Sequence, residues 1–184
     1  MIRQADLTTG FRTLLSLFTI YLIVIKYNAY ITAFLIIVAF VLDGLDGVLA
    51  RRQKKQGIEP SKFGPRLDVA GDRIAEYSYW IIFSFLGVIP LFLLFIVMIR
   101  HSIADAFMGA KGTSSKLKTK FAQIVYASKI GRGGVNLLKV VTFSYLALVY
   151  IAGYPSNIGL GLSYLLVIYI LLRGAAEVYE NMIE

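Results

Sequence analysis

The chain alternates long apolar runs with short polar connections, and the runs have the length of membrane-spanning helices. About 20 consecutive apolar residues cross a bilayer as a helix, and backbone hydrogen bonding excludes most other spanning structures. The predicted spans are roughly residues 11–26, 29–50, 67–88, 91–108, 134–152 and 158–179. A short surface helix over residues 1–10 is compatible with the pattern. The pattern therefore predicts an all-α membrane protein with six transmembrane helices.

Composition supports this prediction and narrows the classes of function. The 184 residues are 58% hydrophobic and 16% charged, whereas a soluble domain carries about 25% charged residues. We expect a single domain over residues 1–184. The absence of cysteine excludes disulfides, iron–sulfur centres and thiolate zinc sites. The net charge of +8 would suit nucleic acid, but the basic residues lie between the spans, which favours a membrane surface and no nucleic-acid partner.

Lysine and arginine are distributed unevenly between the two sides of the predicted bundle. They concentrate in the connections 51–66 and 100–133, whereas the opposite connections contain only Lys26. Because cytoplasmic loops carry an excess of Lys and Arg, both termini are predicted to be cytoplasmic. A site built at the basic side would face the cytoplasm.

Four aspartates lie at that side, at the ends of two membrane-length runs, where a carboxylate is costly. Asp43 and Asp46 are three residues apart near the end of the second predicted helix. Asp68 and Asp72 are four residues apart near the start of the third. Both spacings place the two members of a pair on one helix face. If the two helices are neighbours, the carboxylates meet in one pocket, and a bound divalent cation is the simplest reason for them.

Small and basic residues accompany the acids. Glycine and alanine at Gly44, Gly47, Ala50 and Gly64 permit close approach of a ligand to the backbone. Arg51 offers a planar donor group for phosphate. Because Mg²⁺ and Mn²⁺ typically keep coordination positions for phosphate oxygens and water, this composition suits a metal-bound diphosphate.

Together these residues form one ordered motif. It reads Asp43-x2-Asp46-Gly47-x2-Ala50-Arg51 and, after a gap, Gly64-x3-Asp68-x3-Asp72. The motif resembles the signature of the CDP-alcohol phosphotransferases, integral membrane enzymes of phospholipid head-group synthesis. The one departure is the connection 52–63, whose twelve residues make it longer than is usual in that family. Its residues are polar, so we expect a longer surface loop that leaves the aspartates in place.

The resemblance implies a reaction and residues for it. A phosphatidyl-type group, on a diacyl or an ether lipid, would pass from a CDP-linked lipid to a small alcohol, with release of CMP. Two divalent ions, Mg²⁺ or Mn²⁺, and a homodimer in the bilayer are also implied, with Asp72 as general base. The implied metal ligands are Asp43, Asp46, Asp68 and Asp72. The implied CDP-binding residues are Asp43, Gly47, Ala50, Arg51, Gly64 and Asp68.

Basic residues in the later spans bear on the acceptor. Lys129, Arg132 and Arg173 are candidates for binding an acceptor with its own phosphate, such as glycerol phosphate or inositol phosphate. In the other interpretation, Arg173 pairs with Glu177 along its helix. Lys139 either joins the site or extends its amine toward the membrane surface. A free alcohol such as serine stays an alternative acceptor.

Three further polar residues and one rival function stay open. Glu76 lies four residues after Asp72 and either faces the pocket or pairs with a neighbour. Asp105 either extends the site or ends the fourth helix, and His101 is expected at the polar surface. The rival is a divalent-cation transporter or channel that uses the aspartates as its filter. Such a protein should carry acids at mid-bilayer, whereas these acids lie at one side.

Overall fold

The chain forms successive α-helices. This computed structural model describes residues 4–55, 64–111 and 129–182, which contain six helices and no strand. The helices are α1 (Gln4–Val24), α2 (Ala29–Lys55), α3 (Gly64–Phe85), α4 (Leu91–Lys111), α5 (Lys129–Ala152) and α6 (Ser156–Met182). Each predicted span corresponds to one of these helices, so the all-helical prediction is confirmed.

The first helix is longer than the sequence pattern indicated. α1 begins at Gln4 and continues through the segment before residue 11, so a separate surface helix over residues 1–10 was the wrong expectation. Thr9 is buried within α1 at 3% exposure, where its side chain faces Gly71 of α3. Because α3 packs against the first turns of α1, these turns form part of one continuous helix and not a separate surface helix.

Tight turns join the helices in three consecutive pairs. The side-chain Oδ1 of Asn28 caps α2 by accepting hydrogen bonds from two backbone amides of its first turn, each at 3.1 Å. The turns after α3 and α5 contain Gly87 and Gly153 with φ of 70° and 72°. Glycine adopts this left-handed conformation at no steric cost, which ends each helix cleanly and reverses the chain.

Several helices are suited to a membrane by length and composition. Three segments of the described residues are long and apolar enough to cross one, namely Asp6–Val24, Gly133–Ala152 and Ser156–Ala176. Ala29–Gly44 within α2 is a shorter apolar segment. Large apolar side chains also cover the outer surface, including Phe85 at 82% exposure and Leu14 at 67%. A continuous apolar exterior is unfavourable in water and favourable in hydrocarbon.

Aromatic rings fill the interior beyond the acidic end of the bundle. Phe143 of α5 lies 5.0 Å from the ring of Tyr79 and 5.5 Å from that of Trp80, both on α3. Its ring is also 5.9 Å from Phe40 of α2. The hydroxyls of Tyr79 and Thr19 on α1 are 2.7 Å apart. These contacts hold α1, α2, α3 and α5 in one packed unit and fix the positions of their polar ends.

The close approach of α1 and α3 generates a stability prediction. A Cβ added at Gly71 would lie 2.8 Å from Thr13 Oγ1 and 3.1 Å from Thr9 Cγ2. We therefore expect Gly71→Ala to lower the free energy of unfolding by about 1–3 kcal/mol, the usual cost of overpacking. Thermal unfolding of the detergent-solubilised protein measures this. Gly161→Ala in α6 is the matched control, because a Cβ there meets nothing within 4 Å. Equal behaviour of the two variants would contradict the prediction.

Candidate metal centre and adjoining cavity

Carboxylates from α2 and α3 meet at one end of the bundle. Asp43 of α2 and Asp68 and Asp72 of α3 each have an oxygen within 4.8 Å of those of the other two. Asp43 is the most enclosed, with 19% of its side chain exposed, against 51% for Asp68 and 42% for Asp72. The structure therefore brings these three predicted site residues together and leaves their outer side accessible to a ligand.

A buried arginine from α1 joins the three carboxylates. Arg12 is only 4% exposed. Its Nη1 lies 2.9 Å from Oδ1 of Asp43 and 2.6 Å from Oδ1 of Asp72. Its Nη2 lies 2.8 Å from Oδ1 of Asp68. One guanidinium thus links α1, α2 and α3, and charge-assisted contacts of this length are among the stronger polar interactions in proteins.

Packing between α1 and α3 positions this arginine. Gly71 presents no side chain to α1, so the helices approach closely beside Arg12. Ser16 donates a hydrogen bond to the Arg12 carbonyl at 3.0 Å, and Thr13 donates one to the Thr9 carbonyl at 2.8 Å. The small and hydroxylated residues of α1 therefore satisfy their own polar groups within the helix and leave the guanidinium to the aspartates.

Sequence reasoning missed Arg12, although the sequence carried a signal for it. Arg12 is the only charged residue between Asp6 and Lys26. A cation embedded in an apolar helix is a functional hypothesis by default, so the position of Arg12 in the sequence is itself the signal.

The donor set fits a hard divalent cation. Three carboxylates and one guanidinium leave two negative charges among these four side chains, which one divalent ion would neutralise. Carboxylate oxygens are the ligands that Mg²⁺ and Mn²⁺ prefer. Arg12 contacts the Oδ1 atoms, and a carboxylate can share its oxygens between a guanidinium and a metal ion. The aspartates are therefore suited to hold a divalent metal.

A second charged cluster lies one turn further along α3. Glu76 is 1% exposed, and its Oε2 accepts a hydrogen bond from Lys139 Nζ of α5 at 2.7 Å. His101 Nε2 lies 3.8 Å and Arg73 Nη1 3.9 Å from the same oxygen. Lys139 therefore contacts a buried carboxylate. Glu76 pairs with its neighbours and also lines the cavity described below, so the two interpretations given for it from the sequence both apply.

Two polar residues of α4 lie in environments that differ from those expected from the sequence. His101 was expected at the polar surface, but it is 2% exposed and its ring lies 5.7 Å from that of Tyr77. Asp105 lies inside α4 and binds Arg73 through two contacts, at 2.9 and 2.6 Å. It therefore neither ends the helix nor belongs to the group of aspartates around Arg12. Both residues hold α4 against the polar half of α3.

A small cavity connects the two clusters. It has a volume of about 30 Å³, and Asp43 and Asp72 of the first cluster and Glu76 of the second all line it. Its polar lining consists of Arg12, Ser16, Asp43, Asp72, Glu76, Asn136 and Lys139. Asn136 Nδ2 lies 3.4 Å from Oδ2 of Asp43, so α5 contacts the acidic site directly. A volume of this size accommodates a water molecule or a hydroxyl group, not a whole substrate.

For the other predicted site residues the structure describes the helix that carries them but little of their surroundings. Gly64 begins α3. Arg173 lies half-buried in α6 and is not among the described residues that line the cavity. The remaining predicted positions lie in α2 and α5, but their side chains fall outside the described part of the chain; they are Asp46, Gly47, Ala50, Arg51, Lys129 and Arg132. Their roles stay predictions.

The described residues form helices, three of them with segments apolar enough to cross a membrane, around an acidic centre suited to a metal, which is the architecture of a helical membrane protein with a polar site. The profile of the CDP-alcohol phosphatidyltransferase family matches residues 3–175, so the chain belongs to this family. Its members are integral membrane proteins that transfer a phosphatidyl group from a CDP-alcohol to an alcohol, generally with a divalent metal. No curated protein matches the sequence significantly.

The Arg12 contacts predict a stability that depends on metal. Arg12→Gln should lower the unfolding temperature of the metal-free protein, because three carboxylates lose a shared counter-charge. Added Mn²⁺ should recover most of this loss, because a cation bound to the folded state neutralises the same groups. Thermal unfolding with EDTA and with Mn²⁺ measures both effects.

The matched control is Arg66→Gln, which removes an exposed arginine at the start of the same helix that carries Asp68. Its unfolding temperature should change little under either condition. A loss of stability in Arg12→Gln that is the same with and without Mn²⁺ would show that arginine and metal do not share the carboxylates.

Proposed function

We propose that this protein transfers a phosphatidyl-type group from a CDP-linked lipid to a small phosphorylated alcohol and releases CMP. The acceptor is glycerol phosphate or inositol phosphate, and the donor is a diacyl or an ether lipid. The protein works as one domain with six membrane spans, both termini and the active site cytoplasmic, and as a homodimer. The observation that carries the proposal is the meeting of Asp43, Asp68 and Asp72 beside a polar cavity.

The reaction is a direct displacement at phosphorus. The acceptor oxygen forms a bond to the lipid-bearing phosphorus, and the bond from that phosphorus to the CMP oxygen breaks. The proton of the acceptor hydroxyl passes to the carboxylate of Asp72, which lines the cavity and is partly exposed. A positioned general base contributes about 10²–10⁴-fold to such a step. The ends of α2 and α3, joined through Arg12 of α1, would hold the reacting groups in line, which supplies the positioning that phosphoryl transfer requires.

The metal and the donor bind at the aspartates. Asp43, Asp46, Asp68 and Asp72 would hold two divalent ions, Mg²⁺ or Mn²⁺, which would screen the diphosphate charge and stabilise CMP as the leaving group. The nucleotide lies against Gly47, Ala50, Arg51 and Gly64, where small residues admit it to the helix backbone. The lipid tails stay in the bilayer, and only the head group enters the polar end of the bundle.

The acceptor phosphate lies further toward α5 and α6. Lys129, Arg132 and Arg173 supply the positive charge for it, as arginine does in many phosphate sites. An acceptor without phosphate, such as serine, is the alternative within the same chemistry, and it would leave these cations without a ligand.

A divalent-cation transporter or channel is the rival from another class. The three described aspartates lie together at one end of the bundle, whereas a transport path would need acids at mid-bilayer. The Arg12 guanidinium that joins them would also assist binding of a diphosphate substrate.

The base assignment generates the first kinetic prediction. Asp72→Asn should reduce CMP release by about 10²–10⁴-fold, because the amide cannot accept the hydroxyl proton. The CDP-lipid should still bind, which equilibrium binding of labelled donor measures. The matched control is Asp105→Asn, since Asp105 pairs with Arg73 away from the aspartate cluster. Retained turnover in Asp72→Asn would refute the base assignment.

The assignment of residues to acceptor binding generates a second kinetic prediction. Arg132→Ala and Arg173→Ala should each raise the KM for the acceptor more than the KM for the donor, because the lost charge faces the acceptor phosphate. Initial-rate kinetics with each substrate varied in turn measure this difference. An unchanged acceptor KM would remove the residue concerned from the site.

The most informative experiment is a CMP-release screen of the purified protein. It combines CDP-lipid and Mn²⁺ with glycerol phosphate, inositol phosphate, inositol or serine. Turnover with a phosphorylated acceptor supports the proposal, turnover with serine alone supports the alternative, and no CMP release with any acceptor contradicts the enzyme assignment.

A further inference from the structure

The pair formed by Glu76 and Lys139 is an unusual feature of the bundle interior. Both groups are largely enclosed, with 2% of the Glu76 side chain and 14% of the Lys139 side chain exposed. Transfer of two charges out of water costs more than their attraction commonly returns, so a buried pair is weak support for stability. The geometry of its surroundings indicates another purpose.

One oxygen of the pair lacks a donor. Oε2 of Glu76 accepts the hydrogen bond of Lys139, but Oε1 is buried and has no hydrogen-bond partner among the residues that the structure describes. Buried polar atoms in folded proteins almost always have a partner, whether protein, water or ligand. Glu76 also lines the cavity of about 30 Å³, which accommodates a hydroxyl group.

The position of Glu76 relates this oxygen to the proposed reaction. Glu76 follows Asp72 by four residues, so the two residues lie on one face of α3, with their backbone positions about 6 Å apart along its axis. Both line the same cavity. A polyol that offers its reacting hydroxyl to Asp72 can therefore place a second hydroxyl toward Glu76.

Residues of α5 complete the lining on the opposite side. Asn136 and Lys139 are three residues apart on one face of α5, and both line the cavity. Lys139 can donate to the oxygen of a hydroxyl whose proton Glu76 accepts, so both hydrogen-bonding functions of that hydroxyl are satisfied. His101 and Arg73 also lie within 4 Å of Oε2 of Glu76 and help to keep its carboxylate in place.

We propose that Glu76 and Lys139 form a subsite for a second hydroxyl group of the acceptor, so that the acceptor is a polyol phosphate. This inference rests on the function proposed above. In this proposal the buried pair of Glu76 and Lys139 determines which acceptor binds, and it takes no part in making or breaking bonds. An acceptor with a single hydroxyl, such as serine, leaves Glu76 without its donor and is disfavoured.

The test compares acceptors that differ by one hydroxyl. The pairs are glycerol 3-phosphate with 3-hydroxypropyl phosphate, and inositol phosphate with its deoxy analogues. The native protein should use the fuller acceptor of a pair with a kcat/KM about 10- to 100-fold higher, the usual effect of a hydrogen bond to a charged group. Equal use of both acceptors would overturn this inference alone, whereas no CMP release with any acceptor would overturn the proposed function.

The variant Glu76→Met/Lys139→Met removes the subsite while keeping similar volume, and such replacement of a buried ion pair is commonly neutral for folding. The hydroxyl preference should disappear, with activity on the deoxy acceptor retained. The matched control is Asp105→Asn, which changes a neighbouring acid outside the described cavity lining and should keep the preference. A preserved preference in the Glu76 variant, or an equal loss of activity on both acceptors, would contradict the subsite.

Discussion

The contact between one arginine and three aspartates is the interaction on which the rest of the structure depends. Arg12 comes from α1, Asp43 from α2, and Asp68 and Asp72 from α3, so the contact ties the three helices together at one level. Without a shared cation the carboxylates would repel one another at the edge of an apolar bundle. The same carboxylates are the only described cluster suited to a metal, so the group that stabilises the helix ends also defines the site.

α3 carries much of the candidate site at the expense of its apolar character. It presents Asp68, Asp72 and Glu76 on the side of the site and the cavity, while Tyr79 and Trp80 pack in the aromatic interior beyond them. Its charges exclude it from the segments apolar enough to span a membrane alone, and its neighbours α1 and α5 supply the partners Arg12 and Lys139. The ionisable face of α3 is thus turned to partners on neighbouring helices, while its apolar residues such as Ile74 and Ile81 face outward.

The sequence pattern was sufficient for the helices and for the placement of Asp68 and Asp72 on one face of α3, because both are local. Apolar run length fixes where helices lie, and spacings of three and four fix which acids share a face. The contacts that side chains make between different helices could not be predicted in the same way. Which acids Arg12 would meet, and that Lys139 would reach Glu76, depends on how distant helices pack, which one sequence does not specify. His101 shows the same limit, since burial against Tyr77 is decided by α3 and not by its own helix.

The most direct test of the central claim is a titration of the purified protein with Mn²⁺, followed by electron paramagnetic resonance. If the acidic ends of α2 and α3 form a metal centre, bound Mn²⁺ should appear at saturable stoichiometry, and CDP should alter its spectrum. The double variant Asp68→Asn/Asp72→Asn, folded as judged by thermal unfolding, should lose this signal. Mn²⁺ binding that is equal in the native protein and this variant would contradict the account.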